Sequence, residues 1–543
     1  MQSAETVLGV LRERGRRGLP CNELYRQLFN PQLYLLAYGR LYSNKGAMTP
    51  GVDGETVDGM SLGKIEHIIA VLRHERYRWS PARRVYIPKG RGSSKLRPLG
   101  LPPWSDKLVG EVVRLLLEAY YEPTFSDSSH GFRPRRGCHS ALRDVANTWT
   151  GTTWFIEGDI AQCFDRLDHS VMLRILGENI HDNRFLRLAR NMLTAGYMED
   201  WVWSATRSGS PQGGVVSPIL SNIYLHKMDE YVEKVLIPEY DRGRVRKPNR
   251  TFHRVWAAIG RARKRGDRAK VRELRKQLHS MPSMDPQDPD YRRLRYVRYA
   301  DDTLLGFTGP KAEAEEIKRR LAHFLRDELK LELSPEKTLV THARTGAARF
   351  LGYDITVLHN DRKVSGRRRS VNGTIGLRVP RSVVTAQQTR YMKRGKPARR
   401  PELLNQDDHV IISTFGSEYR GVVQYYLMAG DVFRLARLQW VMETSMLMTL
   451  ANKHRTSVSK MARKYAATTQ TPFGSRKRFE ARVERVGRKP LVGRFGGIPL
   501  RQNRKAVLTD RRSASVNTKR KELVTRLLDG RCESCGRLDE VEV

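Results

Sequence analysis

The sequence predicts a mixed α/β fold (α+β in its mixed sheets) followed by a helical region and a basic tail. Three observations predict it. From about residue 83 to 360, short apolar runs of strand character alternate with segments of helical spacing. From about 375 to 465 the spacing is helical. After Thr471 the composition shifts to Arg, Lys, Gly and Pro.

Taken in order, "NELYRQLFNPQLYLLAYGRLY" has helical spacing and leads into a turn-rich loop. "RRVYIPKGRGSSKLRPLGLP" reads as two short strands around a Gly/Ser/Lys turn, and "DKLVGEVVRLLLEAYYEP" as an amphipathic helix ended near Pro123. "TTWFIEGDIAQCFDRLDHSVMLRIL" reads as a buried strand and then a helix. "SPQGGVVSPILSNIYLHKMDEYVEKVL" is a Gly-Pro loop opening a long helix. A basic insert at about 240–290 has "RARKRGDRAKVRELRKQLHS" as its helical core. "RYVRYADDTLLGF" reads as a hairpin, "KAEAEEIKRRLAHFLRDEL" as a helix and "FLGYDITV" as a short strand pair. "DVFRLARLQWVMETSMLMTL" starts with an expected N-cap, Asp431, and sets Leu435, Leu438, Met442 and Met446 on one core-facing stripe.

The 543 residues carry 99 Lys and Arg against 58 Asp and Glu, a net charge of +41. Such a chain repels itself unless an anion neutralises it, and a phosphate backbone is the expected partner. The absence of any apolar run of 18 residues argues against a membrane span. The N-terminal segment lacks the pattern of a secretory signal. Of five cysteines, Cys21, Cys138 and Cys163 are isolated and expected to serve packing, which suits a reducing, intracellular compartment.

Two adjacent acids, Asp301 and Asp302, fall between apolar strands. Carboxylates at the tip of a buried hairpin repel each other unless a cation sits between them, and Mg²⁺ prefers hard oxygen ligands of this kind. "WFIEGDIAQCFD" puts Asp159 at the end of another apolar strand. If that strand lies beside the hairpin, three acids on adjacent strand ends can hold two ions.

The motifs "RRVYIPKGRGSSKLRPLGLPPWSDKLVGEVV", "SHGFRPRRGCHSAL", "GDIAQCFD", "SPQGGVVSPILSNIYL", "YADD", "LSPEKT" and "FLGYDI" follow one another over roughly residues 20–355. In that order they resemble bacterial group II intron reverse transcriptase/maturases. The resemblance implies a right-hand polymerase with fingers and palm, a helical thumb or maturase domain, and a basic DNA-binding tail. It implies catalysis by Asp159, Asp301 and Asp302, with Mg²⁺ held by these acids and Ile160. The Asp159–Asp301 pair would carry most of the metal binding. Phe164 would lie under the sugar of the incoming nucleotide and select dNTPs. Gln212 would approach the nucleotide–template pair, Lys89 and Arg97 would clamp the triphosphate, and Lys337 would lie near the site.

The domains expected on this basis are the N-terminal extension and start of the fingers at 1–82, the fingers and palm at 83–360 and the thumb at 375–465. A basic DNA-binding region, partly disordered when free, follows at 466–525. Residues 526–543 resemble the start of an HNH endonuclease that ends before its second Cys pair and its His pair. Cys532 and Cys535 can bind zinc, although a structural site takes four ligands. The implied partners are the intron RNA, target DNA, dNTPs and an RNA template with a DNA primer, in a bacterial cytoplasm at the nucleoid. A domesticated reverse transcriptase of defence, retron or diversity-generating type is a second reading, and a splicing factor with a dead palm is a third. The long thumb-like region opposes the second, and the presence of all three acids opposes the third.

Overall fold

The computed structural model describes residues 2–508 except 43, 45, 89–95, 201, 207, 210–213, 361, 362, 366, 367 and 370. Lys89, Gln212, Cys532, Cys535 and the whole nuclease-like segment lie outside the described residues. The principal strands in chain order are β1 Ala82–Pro88, β2 Leu96–Leu101, β3 Trp154–Asp159, β4 Tyr197–Glu199, β5 Val202–Ser204, β6 Arg293–Tyr299, β7 Asp302–Thr308, β8 Val340–His342, β9 Ala348–Phe350, β10 Tyr353–Val357, β11 Ile375–Arg378, β12 Ala466–Thr471, β13 Gly474–Arg485 and β14 Arg488–Gly496.

The central sheet has the order β6-β7-β3-β8, and all its pairings are antiparallel. Its middle strands, β3 and β7, carry the apolar runs because both of their faces are covered, whereas β6 alternates arginine with apolar residues. On one face Ile156, Tyr296 and Leu305 join a core with the helices Trp104–Tyr121, Ser217–Tyr231 and Lys311–Leu329. On the other, Phe155, Val297 and Leu304 join a second core with the helix Cys138–Thr148, β9–β11 and the C-terminal helices. A second, separate sheet has the order β2-β1-β4-β5. In it "RRVYIP" and "LRPLGL" pair antiparallel, Ile87 opposite Arg97.

The helix Trp104–Tyr121 is less amphipathic than its pattern suggests, because it runs through the core. Its buried Arg114 is neutralised along the helix by Glu111, at 2.6 and 2.7 Å, and by Glu118. In the basic insert the helices Arg250–Lys264 and Arg268–Ser280 pack on each other as a hairpin, N-capped by Asn249 and Asp267. This hairpin holds eleven Lys and Arg against two acids.

Two expectations change in the C-terminal third. Asp431 does not cap the long helix. A 3₁₀ turn, Val432–Leu435, precedes the helix Ala436–Lys453, and Asp431 instead accepts a 2.8 Å hydrogen bond from the Val379 N–H. The stripe Leu435, Leu438, Met442 and Met446 is buried as its spacing requires. Residues 466–496, where the sequence reads as basic tail with no strand pattern, form the sheet β12-β13-β14, which packs on the helix Asp408–Tyr426. Two glycines permit this close approach. A Cβ on Gly416 would fall 1.8 Å from the Arg494 carbonyl oxygen, and one on Gly493 would fall 2.0 Å from that of His409. Ala481 and Phe495 bury themselves among arginines that face outward, and so a charge-rich segment still contributes to a core. No described helix is long and apolar enough to cross a membrane.

Candidate active site

The register of the central sheet brings the three acids together. Asp159 ends β3 directly opposite Asp302, the first residue of β7, and Tyr299 of β6 is the other neighbour of Asp302. Asp301 sits in the two-residue turn after Ala300, whose φ of 54° is left-handed for a non-glycine residue. The backbone register thus pairs Asp159 with Asp302, and the Asp159–Asp301 pair expected to carry most of the metal binding joins a strand end to the turn. Asp302 faces Asp159 across the strands because it begins the strand, whereas Asp301 belongs to the turn.

The site concentrates negative charge. Burial pushes the Asp302 carboxyl up to about 6, and the charges of Asp301 and Asp159 add to the rise. Asp301 is also raised, first by burial and then by Asp159, against a backbone hydrogen bond and the positive charges of Lys337 and Arg97. Lys337 Nζ donates to Asp159 Oδ2 at 2.9 Å. Lys337 is carried there by the loop after Leu333, which pairs with Ile160 and whose Ser334 N–H donates to the Asp159 carbonyl at 2.7 Å. Arg97 is exposed on β2 and its charge reaches Asp301 from the second sheet.

Among the described residues no three His, Cys, Asp or Glu side chains already form a cage for a metal ion. The donor set nevertheless fits Mg²⁺. Carboxylates whose ionisation is opposed by burial and by each other are relieved by a divalent cation, and Mg²⁺ completes its shell with water and substrate phosphate. The Ile160 side chain is a hydrocarbon with no ligand atom, so only its backbone carbonyl can serve as a ligand. Phe164 lies on the short helix Cys163–Arg166 just after Asp159. It is half-buried, edge-on to the Phe132 ring at 6.2 Å between centroids. Cys21 and Cys163 are buried free thiols, and burial pushes Cys163 up to about 12.

The residues that hold the acidic hairpin were not singled out by the sequence. Arg298, fully buried, donates from Nε to Asp229 Oδ1 at 2.7 Å and from Nη2 to Asp229 Oδ2 at 2.6 Å. It also donates to Asn222 Oδ1 at 3.2 Å, Ser129 Oγ at 2.9 Å and the Ala300 carbonyl at 3.0 Å. One guanidinium thus ties the hairpin turn to the helix Ser217–Tyr231 and to the "SHGFRP" segment. Burial opposes the Asp229 charge, but Arg298 more than offsets it and holds the carboxyl down at about 2. The signal available was that Arg298 follows Leu294 and Tyr296 at the alternate, core-facing positions of its strand, where an arginine demands a buried acid.

The "SHGFRP" segment supports the turn from behind. Its His130 N–H donates to the Arg298 carbonyl at 2.9 Å, and a Cβ on Gly131 would lie 2.4 Å from the Ala300 nitrogen. The His130 ring is buried, with Nδ1 2.8 Å from Ser140 Oγ and Nε2 without a partner among the described residues. Burial, with the charges of Arg136 and Arg133, lowers its pKa to about 3. A histidine lowered on folding contributes stability above its unfolded pKa of about 6.5 and loses it below, by up to about 1.4 kcal/mol per pH unit. Unfolding free energy followed between pH 7 and 5 should therefore fall on acidification. The His130→Asn variant should show a shallower fall, and an unchanged slope would show that His130 is not the group responsible.

With this geometry established, the chain can be set beside known proteins. Residues 87–254 match the family described as reverse transcriptase (RNA-dependent DNA polymerase). Residues 377–492 match type II intron maturase. The first match ends before Asp301 and Asp302. The second runs through most of the sheet β12-β13-β14. The chain is similar to the group II intron-encoded protein LtrA of Lactococcus lactis subsp. cremoris, with 40% identity over 458 residues, 80% of this chain and 76% of that one. It is 35% identical over 441 residues to an uncharacterized 91 kDa protein in the cob intron of Schizosaccharomyces pombe, covering 79% of this chain and 54% of that one. It is also 35% identical over 344 residues to protein YkfC of Escherichia coli K12, 62% of this chain and 83% of that one.

Proposed function

The chain belongs to the family of group II intron-encoded reverse transcriptase/maturases, RNA-directed DNA polymerases, and on that premise we propose that Asp159, Asp301 and Asp302 are its polymerase centre. The observation that carries this reading is the convergence of three acids, two of them raised by burial and mutual repulsion, on adjacent strand ends. Reverse transcriptases as a family depend on Mg²⁺. When bound, two such ions would activate a primer 3′-hydroxyl and neutralise the leaving pyrophosphate. The acids and the Ile160 carbonyl would hold them.

Lys337 keeps Asp159 neutralised and oriented until that charge is taken over by a cation, and Arg97 faces the same pole from the fingers. Both would then be free to meet triphosphate oxygens through charge-assisted hydrogen bonds. Lys89 and Gln212 keep the roles the resemblance gives them. The basic insert, the N-terminal extension and the thumb would hold the intron RNA, and the basic tail target DNA, chiefly through phosphates.

The test is primer extension: the protein should extend a DNA primer on an RNA template with dNTPs and Mg²⁺. No extension on any RNA template would overturn the proposal. Phe164 offers a second readout at the same site. Its half-buried ring, on the short helix that follows Asp159 in the chain, suits a steric gate against a 2′-hydroxyl. Phe164→Ala should raise ribonucleotide incorporation by about tenfold or more, corresponding to about 1.4 kcal/mol of relieved clash. Unchanged discrimination with normal dNTP use would assign Phe164 to packing.

A further inference from the structure

We propose that a cavity between the palm and the thumb is a binding site for a backbone phosphate of a polynucleotide. This deepens the family reading and rests on it. The cavity, of about 340 Å³, opens where β9, β10 and β11 meet the first turn of the helix Arg381–Thr389. Four arginines line it: Arg349, Arg378, Arg381 and Arg434. The lining has one acid, Asp354, already engaged by Arg349 Nε at 3.1 Å. Arg434 is paired with Asp431 at 3.2 Å. The side chains of Arg378 and Arg381 are exposed and make no hydrogen bond or close ion pair with a described residue, although Arg378 stands opposite Asp354 in the strand pair and its charge also acts on that carboxylate.

Two further observations, independent of the charge, point to an anion. The helix Arg381–Thr389 begins at Pro380 with no side-chain cap, and its first two residues line the cavity. Uncapped N–H groups at a helix start favour an anion. Thr356, whose residue is 9% exposed, has an Oγ1 that is buried and without a partner among the described residues, and it too lines the cavity. A phosphate oxygen would accept from that hydroxyl, from the helix N–H groups and from the guanidinium forks, which match phosphate in geometry.

The lining also says what is not recognised. It contains no aromatic side chain to act as a stacking platform for a base. The ligand is the backbone, read without sequence. That phosphate can come from a primer–template duplex lying across palm and thumb, or from a folded intron RNA wrapped around them, and the test separates these sources.

Arg378→Gln/Arg381→Gln is compared with the full chain for binding to a labelled DNA-primed RNA template and to a folded group II intron RNA, each over a salt series. The affinity for one of the two should fall by about tenfold, and its log–log salt slope by about one. Loss on the duplex alone assigns the phosphate to the primer–template, and loss on the RNA alone assigns it to the intron. Arginine-directed dicarbonyl footprinting of the unmodified chain should show Arg378 and Arg381 protected by the same ligand. Unchanged affinity and slope for both ligands in a variant with an unaltered thermal melt would overturn the proposal. So would full dicarbonyl reactivity at both arginines in saturated complexes. Primer extension at saturating protein keeps the premises apart. If the unmodified chain extends primers and the variant binds normally, only the phosphate site fails. If the unmodified chain never extends, the polymerase reading fails.

Discussion

Asp301→Ala should reduce primer extension by about three orders of magnitude or more while leaving the protein folded and able to bind nucleic acid. Electrostatic stabilisation of charge in a water-poor site commonly contributes factors of this size per group. The variant also removes a source of strain in the free protein, because the Asp301 charge raises the cost of ionising Asp302. A small gain in thermal stability should therefore accompany the loss of activity. A mere loss of fold predicts the reverse. Intron RNA is proposed to bind the basic insert, the N-terminal extension and the thumb rather than the acids, so the same variant should still assist splicing of its intron at low Mg²⁺. Near-normal extension by Asp301→Ala would remove the acids from the mechanism. Joint loss of extension and splicing in a folded variant would show that the two surfaces are not separable.

The acids were legible in the sequence because their chemistry is local. Two adjacent aspartates between apolar runs need a cation whatever surrounds them, and Asp159 at a strand end supplies a third carboxylate. The sheet order β6-β7-β3-β8 then meets the condition that the strand of Asp159 lie beside the hairpin. What was not legible depends on register and on long-range partners. Whether Asp159 faces Asp301 or Asp302 turns on which residue begins β7, a one-residue matter that apolar runs cannot decide. The Asp229–Arg298 pair spans 69 positions. Asp229 stands in "LHKMDEY", indistinguishable from a surface helix acid until the helix is known to be buried. The sheet β12-β13-β14 was hidden for a related reason. Its apolar contribution comes from single residues such as Ala481 and Phe495, while Arg and Lys dominate the composition. Close approach at Gly416 and Gly493 leaves no apolar pattern to read.

Asp229→Ala should cost about 3–5 kcal/mol, because it leaves the buried Arg298 guanidinium without its counter-charge. The loss should appear first in the hairpin, as faster hydrogen exchange of the β6 and β7 amides, since Arg298 lies on β6 and bonds the Ala300 carbonyl at the turn. Extension should fall with it. Instability alone would explain that fall, so a second variant separates the effects. Replacing both partners, Asp229→Leu with Arg298→Met, removes charge and counter-charge together. Buried ion pairs exchanged for apolar residues of similar size are often neutral or stabilising, so much of the stability should return. The bonds from the guanidinium to Ala300, Asn222 and Ser129 do not return, which among the described contacts leaves the left-handed turn tied to the helix Ser217–Tyr231 only indirectly, through the "SHGFRP" segment whose Gly131 carbonyl accepts from Asn222 Nδ2 at 2.9 Å. The double variant should thus be stable but remain slow in extension, with its dNTP affinity little changed, because the acids are present and only their placement is loosened. Full recovery of extension along with stability would show that Arg298 and Asp229 serve the core alone. Slow extension from a stable protein would make Arg298 a positioning residue for the catalytic turn.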